Sequence, residues 1–142
     1  MSSTTILQSV LVDLLDLGWL GKQAHWNVYG PRFKSVHVEL DTMVEELIVW
    51  QDEVAERIAA LGGNPDGRAA TVAASSAVAP LDGGFLRDED VLTAFAARLA
   101  ACSKTLSGHL SGLDDDLASQ DILIGIIAGL DKQAWFFRAQ TA

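Results

Sequence analysis

The sequence contains few prolines and only one residue that can form a disulfide. Three prolines occur among its 142 residues, and long stretches lack both glycine and proline, which favours an all-helical fold. The single cysteine, Cys102, cannot form an internal disulfide, in agreement with a reducing compartment. Because Cys102 lies between Leu99 and Leu106 at helical spacing, we predict that it is a buried apolar residue rather than a reactive thiol.

Signals for export and for membrane insertion are also missing. Residues 1–5 contain no basic residue and no small-residue cleavage site, and Asp13 and Asp16 interrupt the apolar run that follows. We therefore expect a soluble, cytoplasmic protein without a membrane partner.

Positive charge is scarce, with 10 lysines and arginines against 19 acids and a net charge of −9. Such a chain repels nucleic acids and anionic membranes unless its few cations cluster, and it concentrates cations near its surface. Hydrophobic residues make up 49% of the sequence and charged residues 20%, which is enough apolar material for a packed core. The length predicts one domain spanning residues 1–142.

Four long apolar patterns with helical spacing predict four helices. They run over residues 5–28, 33–61 and 88–113, and from about residue 119 onward. Thr5 and Gln8 fit a capping box at the first start, and Ser119 can cap the fourth helix. Residues 64–87 form a long link, in which residues 69–77 have the composition of a short helix. One long crossover between the second and third helices predicts an all-α, ferritin-like four-helix bundle.

Residues of the types that bind metals are concentrated in the first two helices. His25 lies near the end of the first helix, and His37, Asp41, Asp52 and Glu56 follow on the second. The last four are separated by four, eleven and four residues, which places their side chains within an arc of roughly 100°. Mixed imidazole and carboxylate ligands suit Fe(II), with Zn(II) or Mn(II) as competitors.

The spacing of these residues predicts a site shared between two subunits. Asp41 and Asp52 lie about 16 Å apart along one helix, too far to share a metal whose ligands sit at about 2 Å. An antiparallel two-fold contact between two copies of the second helix would bring each pair opposite the other, with Val44 and Ile48 sealing the centre. The alternative is a solvated acidic face, because acids four residues apart are common on helices.

The usual di-iron site inside a single bundle requires Glu-x-x-His motifs. The residues three positions before His25, His37 and His109 are a lysine, a lysine and a leucine. That alternative is therefore absent.

Several segments closely resemble the Dps family of mini-ferritins, whose name means DNA-binding protein from starved cells. The resemblance rests on residues 22–31 (Lys-Gln-Ala-His-Trp-Asn-Val-Tyr-Gly-Pro), on His37 and Asp41 four residues apart, and on residues 52–57 (Asp-Glu-Val-Ala-Glu-Arg). Residues 121–123 and 131–135 also resemble the fourth helix of the family. The match therefore extends over nearly the whole chain.

This resemblance implies a ferroxidase site with ligands His25, His37 and Asp41 from one subunit and Asp52 and Glu56 from its two-fold mate. Glu56 would be the principal anchoring carboxylate. The family also implies a homo-dodecamer built from two-fold dimers, oxidation of Fe(II) preferentially by hydrogen peroxide, storage of ferric mineral, and protection against oxidative damage. Zinc would be a possible competitor for iron.

Two further roles follow from the same resemblance. Trp26 matches the family tryptophan beside a ligand and is either an electron donor that quenches radicals or an interface aromatic. Asp121, Asp116 and Asp115 lie where the family builds acidic three-fold pores, and Asp121 is the first choice. An acidic turn that complements a helix N-terminus is the alternative for the other two.

The sequence departs from the family in its basic residues. Many members bind DNA through lysine- and arginine-rich tails, whereas residues 1–4 contain no base and residues 138–142 contain one. We therefore expect no useful DNA binding. The alternative functions are a DNA-compacting protein of the same fold and a helical assembly whose site is unused or blocked by zinc.

Overall fold

A computed structural model describes residues 1–141 and contains four long helices, one short helix and two very short strands. The elements in chain order are α1 (Ser3–Asn27), β1 (Val28–Tyr29), α2 (Phe33–Ala60), α3 (Ala69–Ser75), β2 (Leu86–Arg87), α4 (Asp88–His109) and α5 (Leu117–Ala139). A 3-10 turn at Leu110–Leu113 extends α4. The predicted all-α bundle and its long crossover are confirmed, and α3 is the short helix expected within that crossover.

The first helix begins two residues earlier than predicted, and its cap differs. Ser2 is the N-cap residue, and its side chain accepts a hydrogen bond from the backbone N–H of Thr5 at 3.2 Å. The predicted capping box of Thr5 and Gln8 is wrong. The Gln8 side chain instead exchanges two hydrogen bonds with the backbone of Asp66, at 2.8 and 2.9 Å. Gln8 therefore fixes the start of the crossover against α1.

The start of α5 also differs from the prediction, because Asp116 rather than Ser119 is the N-cap residue. The Asp116 carboxylate accepts hydrogen bonds from the Ser119 backbone N–H at 3.3 Å and from the Ser119 hydroxyl at 2.6 Å. Arg57 of α2 donates to the same carboxylate at 2.9 Å. These contacts, with the Ser119 hydroxyl as the largest cause, lower the pKa of Asp116 to about 2.

The core lies between the apolar stripes of the four long helices. Its largest fully buried side chains include Leu14, Leu40, Phe95, Leu99 and Phe137, and each such side chain contributes about 1.5–3 kcal/mol by leaving water. Cys102 is buried as predicted, and burial raises the pKa of its thiol to about 12. No helix within residues 1–141 combines the length and the apolar character needed to cross a membrane.

Candidate metal site

The end of α1 and the start of α2 bring His25 and His37 into direct contact. Their imidazole rings stack with centroids 3.7 Å apart and an angle of 12° between the planes. Phe33, in the first turn of α2, also stacks on the His37 ring, with centroids 4.9 Å apart. The two histidines that the sequence placed twelve residues apart are therefore held as a packed pair.

Reciprocal hydrogen bonds fix the orientation of both rings. His25 Nδ1 lies 2.7 Å from the backbone carbonyl oxygen of His37, and His37 Nδ1 lies 2.7 Å from the backbone carbonyl oxygen of His25. A carbonyl oxygen only accepts, so each Nδ1 carries the hydrogen and donates it. In the neutral ring the Nε2 atom then carries the lone pair. A backbone carbonyl that holds Nδ1–H in this way is the usual support of a metal-binding histidine.

Asp41, one turn after His37, places a carboxylate beside these rings. Its Oδ1 atom lies 4.0 Å from His25 Nε2 and 2.6 Å from the Lys22 ammonium. The hydrogen bond from Lys22 is the largest cause that lowers the pKa of Asp41, and the nearby histidines act in the same direction. The carboxylate is therefore ionised at neutral pH and paired with Lys22, a partnership that the sequence did not predict.

Asp52 and Glu56 lie further along α2 and are exposed. Eleven residues of helix separate Asp52 from Asp41, so the two carboxylates are about 16 Å apart along the axis. Within residues 1–141 of one chain, no three His, Cys, Asp or Glu side chains converge closely enough to hold a metal ion. A single chain therefore brings together only part of the predicted ligand set.

The surface around Asp52 is apolar. A groove of about 540 Å³ runs between α1 and α2, with Ile48, Val49 and Asp52 among its lining residues. Ile48 is 55% exposed, so its side chain is available for the predicted dimer contact, which stays a prediction. The same expectation for Val44 is wrong, because Val44 is only 6% exposed and packs within its own chain against Gly21.

The turn that joins the two histidine-bearing helices is held by Asp88, a residue that sequence reasoning missed. Asp88 is 1% exposed, and its carboxylate accepts hydrogen bonds from the backbone N–H of Arg32 at 2.7 Å and of Glu89 at 2.8 Å. The bond from Arg32 is the largest cause that lowers the pKa of Asp88. Gly30 lies against this carboxylate with a φ of +127°, a conformation that favours glycine.

Two short parallel strands next to the turn between α1 and α2 reinforce this turn. The strands β1 and β2 pair with Val28 opposite Leu86 and Tyr29 opposite Arg87. The end of the crossover thus meets the residues that directly follow α1. The only hint in the sequence was the Gly30-Pro31 pair, which predicted a turn but no partner for it.

The remaining predicted residues lie outside this cluster. Trp26 follows His25 in sequence, but its side chain is 68% exposed. Asp115 and Asp121 are exposed beside the start of α5, whereas Asp116 is engaged by the cap and by Arg57. The radical-quenching and pore roles stay predictions.

Comparison with known proteins agrees with this architecture. The family model described as a ferritin-like domain matches residues 4–142. DNA protection during starvation protein of Agrobacterium fabrum is 32% identical over 136 residues, which cover 94% of this chain and 84% of that protein. DNA protection during starvation protein 2 of Deinococcus radiodurans is 31% identical over 138 residues, which cover 96% of this chain but 57% of that protein.

A solved structure shows the same likeness in three dimensions. Dps from Microbacterium arborescens in the high iron form superposes with a TM-score of 0.91 at 37% identity, covering 97% of this chain and 91% of that one. The fold and the match over almost the whole chain define a protein of the ferritin-like class. Within that class, the chain belongs to the Dps family.

Proposed function

We propose that this protein oxidises Fe(II), with hydrogen peroxide preferred to oxygen, at sites shared between two subunits of a cytoplasmic homo-dodecamer. Ferric mineral is stored inside the shell, and the cell is thereby protected from oxidative damage. The observation that carries the proposal is the His25–His37 pair, whose reciprocal hydrogen bonds leave both Nε2 atoms as metal donors beside Asp41. The names of the Dps relatives support the mini-ferritin class.

The missing ligands come from a second copy of α2. In an antiparallel two-fold contact, the partner subunit's Asp52 and Glu56 face His37 and Asp41, and the exposed apolar groove around Ile48 closes over the contact. Glu56 is the principal anchor and Asp52 supports it. Two imidazoles and three carboxylates form a donor set of borderline softness that accepts Fe(II) and also Zn(II) as a competitor. The solved relative described in its high iron form supports iron as the substrate metal.

The oxidation balances with protons from water as the only other reactant. Two Fe(II) ions each give up one electron, hydrogen peroxide accepts both, its O–O bond breaks, and two protons complete two water molecules. Removing Fe(II) and peroxide together prevents their reaction to hydroxyl radical. Trp26, which follows His25 in sequence, gives an electron to radicals formed at the site in this proposal, and an interface aromatic is the alternative role. Iron enters through three-fold pores in which Asp121 and Asp115 focus cations, whereas the predicted pore role of Asp116 is disfavoured because its carboxylate caps α5 and pairs with Arg57.

Anaerobic addition of Fe(II), followed by hydrogen peroxide, tests the proposal through ferric absorbance in the near ultraviolet. The test variant is Asp52→Ala/Glu56→Ala, and the matched control is Glu45→Ala/Glu53→Ala, which removes two exposed carboxylates from the same helix. Sizing must show that all three proteins assemble alike. Fast oxidation that is lost only in the test variant supports the shared site, whereas equal rates in all three proteins refute it.

DNA compaction is the alternative function, and the charge argues against it. Twelve chains at −9 each carry a formal charge of −108, so repulsion from phosphates is strong. We expect no gel shift with duplex DNA at about 150 mM salt without divalent cations. A clear shift under those conditions would restore DNA binding as a function.

A further inference from the structure

A pocket lies on the side of α1 that faces away from the predicted two-fold contact. Its volume is about 250 Å³, and it is bounded by α1, α4 and residues 77–79 of the crossover. On α1, Asp13 lines this pocket, whereas Leu11 and Leu15 line the groove between α1 and α2. Asp13 is two positions from each of these leucines, which turns it about 160° away from them around the helix. The pocket is therefore separate from the site shared between subunits.

Small residues leave the space of the pocket, and an arginine fastens the segment that covers it. Ala97 and Ala101 of α4 line the pocket from exposed positions, so a ligand can reach it from solvent. The Arg98 guanidinium donates hydrogen bonds to the backbone carbonyls of Ala79, at 3.0 Å, and of Pro80. These bonds hold the crossover against α4. The walls are therefore mostly apolar, and the basic side chain among them, Arg98, is already engaged by carbonyl oxygens.

Asp13 carries the observation that points to a ligand. It is only 6% exposed, and its Oδ1 atom accepts a hydrogen bond from the backbone N–H of Ala77 at 2.9 Å. Its Oδ2 atom has no hydrogen-bond partner among residues 1–141. Among the buried and half-buried side chains of these residues, only Glu39 Oε1 and Gln133 Oε1 are both unpaired and sealed from water, so Asp13 Oδ2 is open to the pocket. None of the ion pairs within the described chain includes Asp13. A buried carboxylate therefore presents a free oxygen to the pocket without a counter-ion.

The charges around Asp13 favour a cation as the ligand. Burial is the largest cause that raises the pKa of Asp13, and the negative charge of Asp16 raises it further. The Ala77 N–H and His109 act in the opposite direction without reversing the shift. Asp16 accepts a hydrogen bond from the Ser76 hydroxyl at 2.5 Å and brings no cation with it. A positive group placed against Asp13 Oδ2 would favour the ionised carboxylate and offset the repulsion from Asp16.

The pocket suits a cation that supplies its own hydrogen-bond donor. A metal ion needs more ligands than one carboxylate, and within residues 1–141 no three His, Cys, Asp or Glu side chains converge. An organic ammonium ion needs only the free oxygen of Asp13 for one charge-assisted hydrogen bond, and its hydrocarbon part matches the apolar walls. An apolar cavity of about 150 Å³ is enough to hold benzene, so this pocket admits a short alkyl chain.

We propose that this pocket binds the primary ammonium ion of a short-chain alkylamine. One N–H group donates to Asp13 Oδ2, the alkyl chain lies between α4 and the crossover, and water at the open side accepts from the remaining N–H groups. The bound amine links α1, α4 and the crossover, which come from distant parts of the chain. The inference does not rest on the proposed iron oxidation, because none of the residues that line the pocket is a proposed iron ligand.

Isothermal titration calorimetry with n-butylammonium chloride tests the proposal on the assembled protein, at neutral pH and constant ionic strength. We expect one n-butylammonium ion to bind per chain. Two other ligands separate the contributions: 1-butanol has the same alkyl chain without the charge, and tetramethylammonium has the same charge without an N–H donor. Each should bind at least about tenfold more weakly, since neither can form a charge-assisted hydrogen bond with an ammonium N–H as its donor.

Three variants locate the binding site. Asp13→Asn keeps the shape of the side chain and an acceptor for the Ala77 N–H, and it should weaken n-butylammonium binding at least about tenfold. Asp90→Asn makes the same change at an exposed position of α4 and should leave binding unchanged. Ala101→Leu narrows the pocket from an exposed position and keeps Asp13, so it should also weaken binding even if Asp13→Asn fails to fold. No binding of n-butylammonium by the parent protein, equal binding by the parent and Asp13→Asn, or equal affinity for 1-butanol or tetramethylammonium would overturn the proposal.

Discussion

Replacement of Gly30 by alanine tests how the turn between α1 and α2 is held. A methyl group at this position would lie 2.6 Å from both Cγ and Oδ2 of the Asp88 carboxylate, well inside contact distance. The φ of +127° is also unfavourable for any residue with a side chain. Backbone strain of about 1–3 kcal/mol and crowding of about 1–3 kcal/mol together predict a loss of roughly 4 kcal/mol.

For a chain of this length each kcal/mol lowers Tm by about 2–4 °C, so Gly30→Ala should lower Tm by roughly 8–16 °C. Thermal unfolding followed by circular dichroism measures this, at one protein concentration because assembly contributes to stability. Gly62→Ala is the matched control, since Gly62 has a φ of +84° but nothing within 4 Å of an added methyl group. It experiences the backbone strain without the crowding, and its Tm should fall by about half as much.

The effect should extend to the candidate metal site, because the same turn sets the approach of His25 to His37. Gly30→Ala should therefore weaken Zn(II) binding by the assembled protein, whereas Gly62→Ala should leave it unchanged. A Tm for Gly30→Ala within about 2 °C of the parent would refute the reasoning. An equal fall in Tm in the two variants would show that crowding against Asp88 adds nothing to the loss of stability.

Two further predictions follow from charged contacts. Lys22→Met frees Asp41 from its ammonium partner and should tighten Zn(II) binding about two- to fivefold, the range for a partly exposed ion pair. The control is Lys104→Met, which removes an exposed lysine on α4. An unchanged Zn(II) affinity of Lys22→Met would refute the idea that Lys22 competes with the metal for Asp41. In the folded protein the pKa of Asp116 is about 2, compared with an ordinary value of 3.8. Its contribution to the free energy of unfolding is therefore complete above about pH 4 and is lost as the pH falls towards 2. Asp116→Asn should therefore lower the midpoint of urea unfolding at neutral pH and flatten the pH dependence of that midpoint between pH 4 and 2. Identical midpoints in the variant and the parent at every pH would refute the role of the Asp116 cap.

The long elements of the fold could be predicted because each is set by local patterns. Apolar spacing located the helices, and glycine with proline located their ends, so the predicted bounds of α2 differ from the observed ones by one residue. The caps could not be chosen in the same way, since Ser2 and Thr5, or Asp116 and Ser119, are equally good candidates in sequence. The residue at which the helix begins decides which side-chain oxygen meets the free N–H groups of the first turn.

Contacts between distant segments were beyond local reasoning. Asp88 looked like an acid in a first helical turn, yet its carboxylate closes the turn near Arg32, 56 residues earlier. The partnership of Lys22 with Asp41 was missed for the same reason, although a lysine three residues before a histidine is visible in the sequence. His25 and His37 could be foreseen as neighbours only because the Gly30-Pro31 turn reverses the chain between them.

The division of ligands makes metal binding depend on assembly under the proposed function. One chain offers His25, His37 and an Asp41 whose charge Lys22 partly cancels, a set too weak to retain Fe(II) by itself. The exposed, uncompensated carboxylates of Asp52 and Glu56 are the strong ligands, and α2 carries them about 16 Å away from that set. Only a second subunit can join the two halves. Under the proposed function, oxidation of Fe(II) would therefore occur only where a shell already exists to keep the ferric product, and an unassembled chain would not release ferric iron into solution.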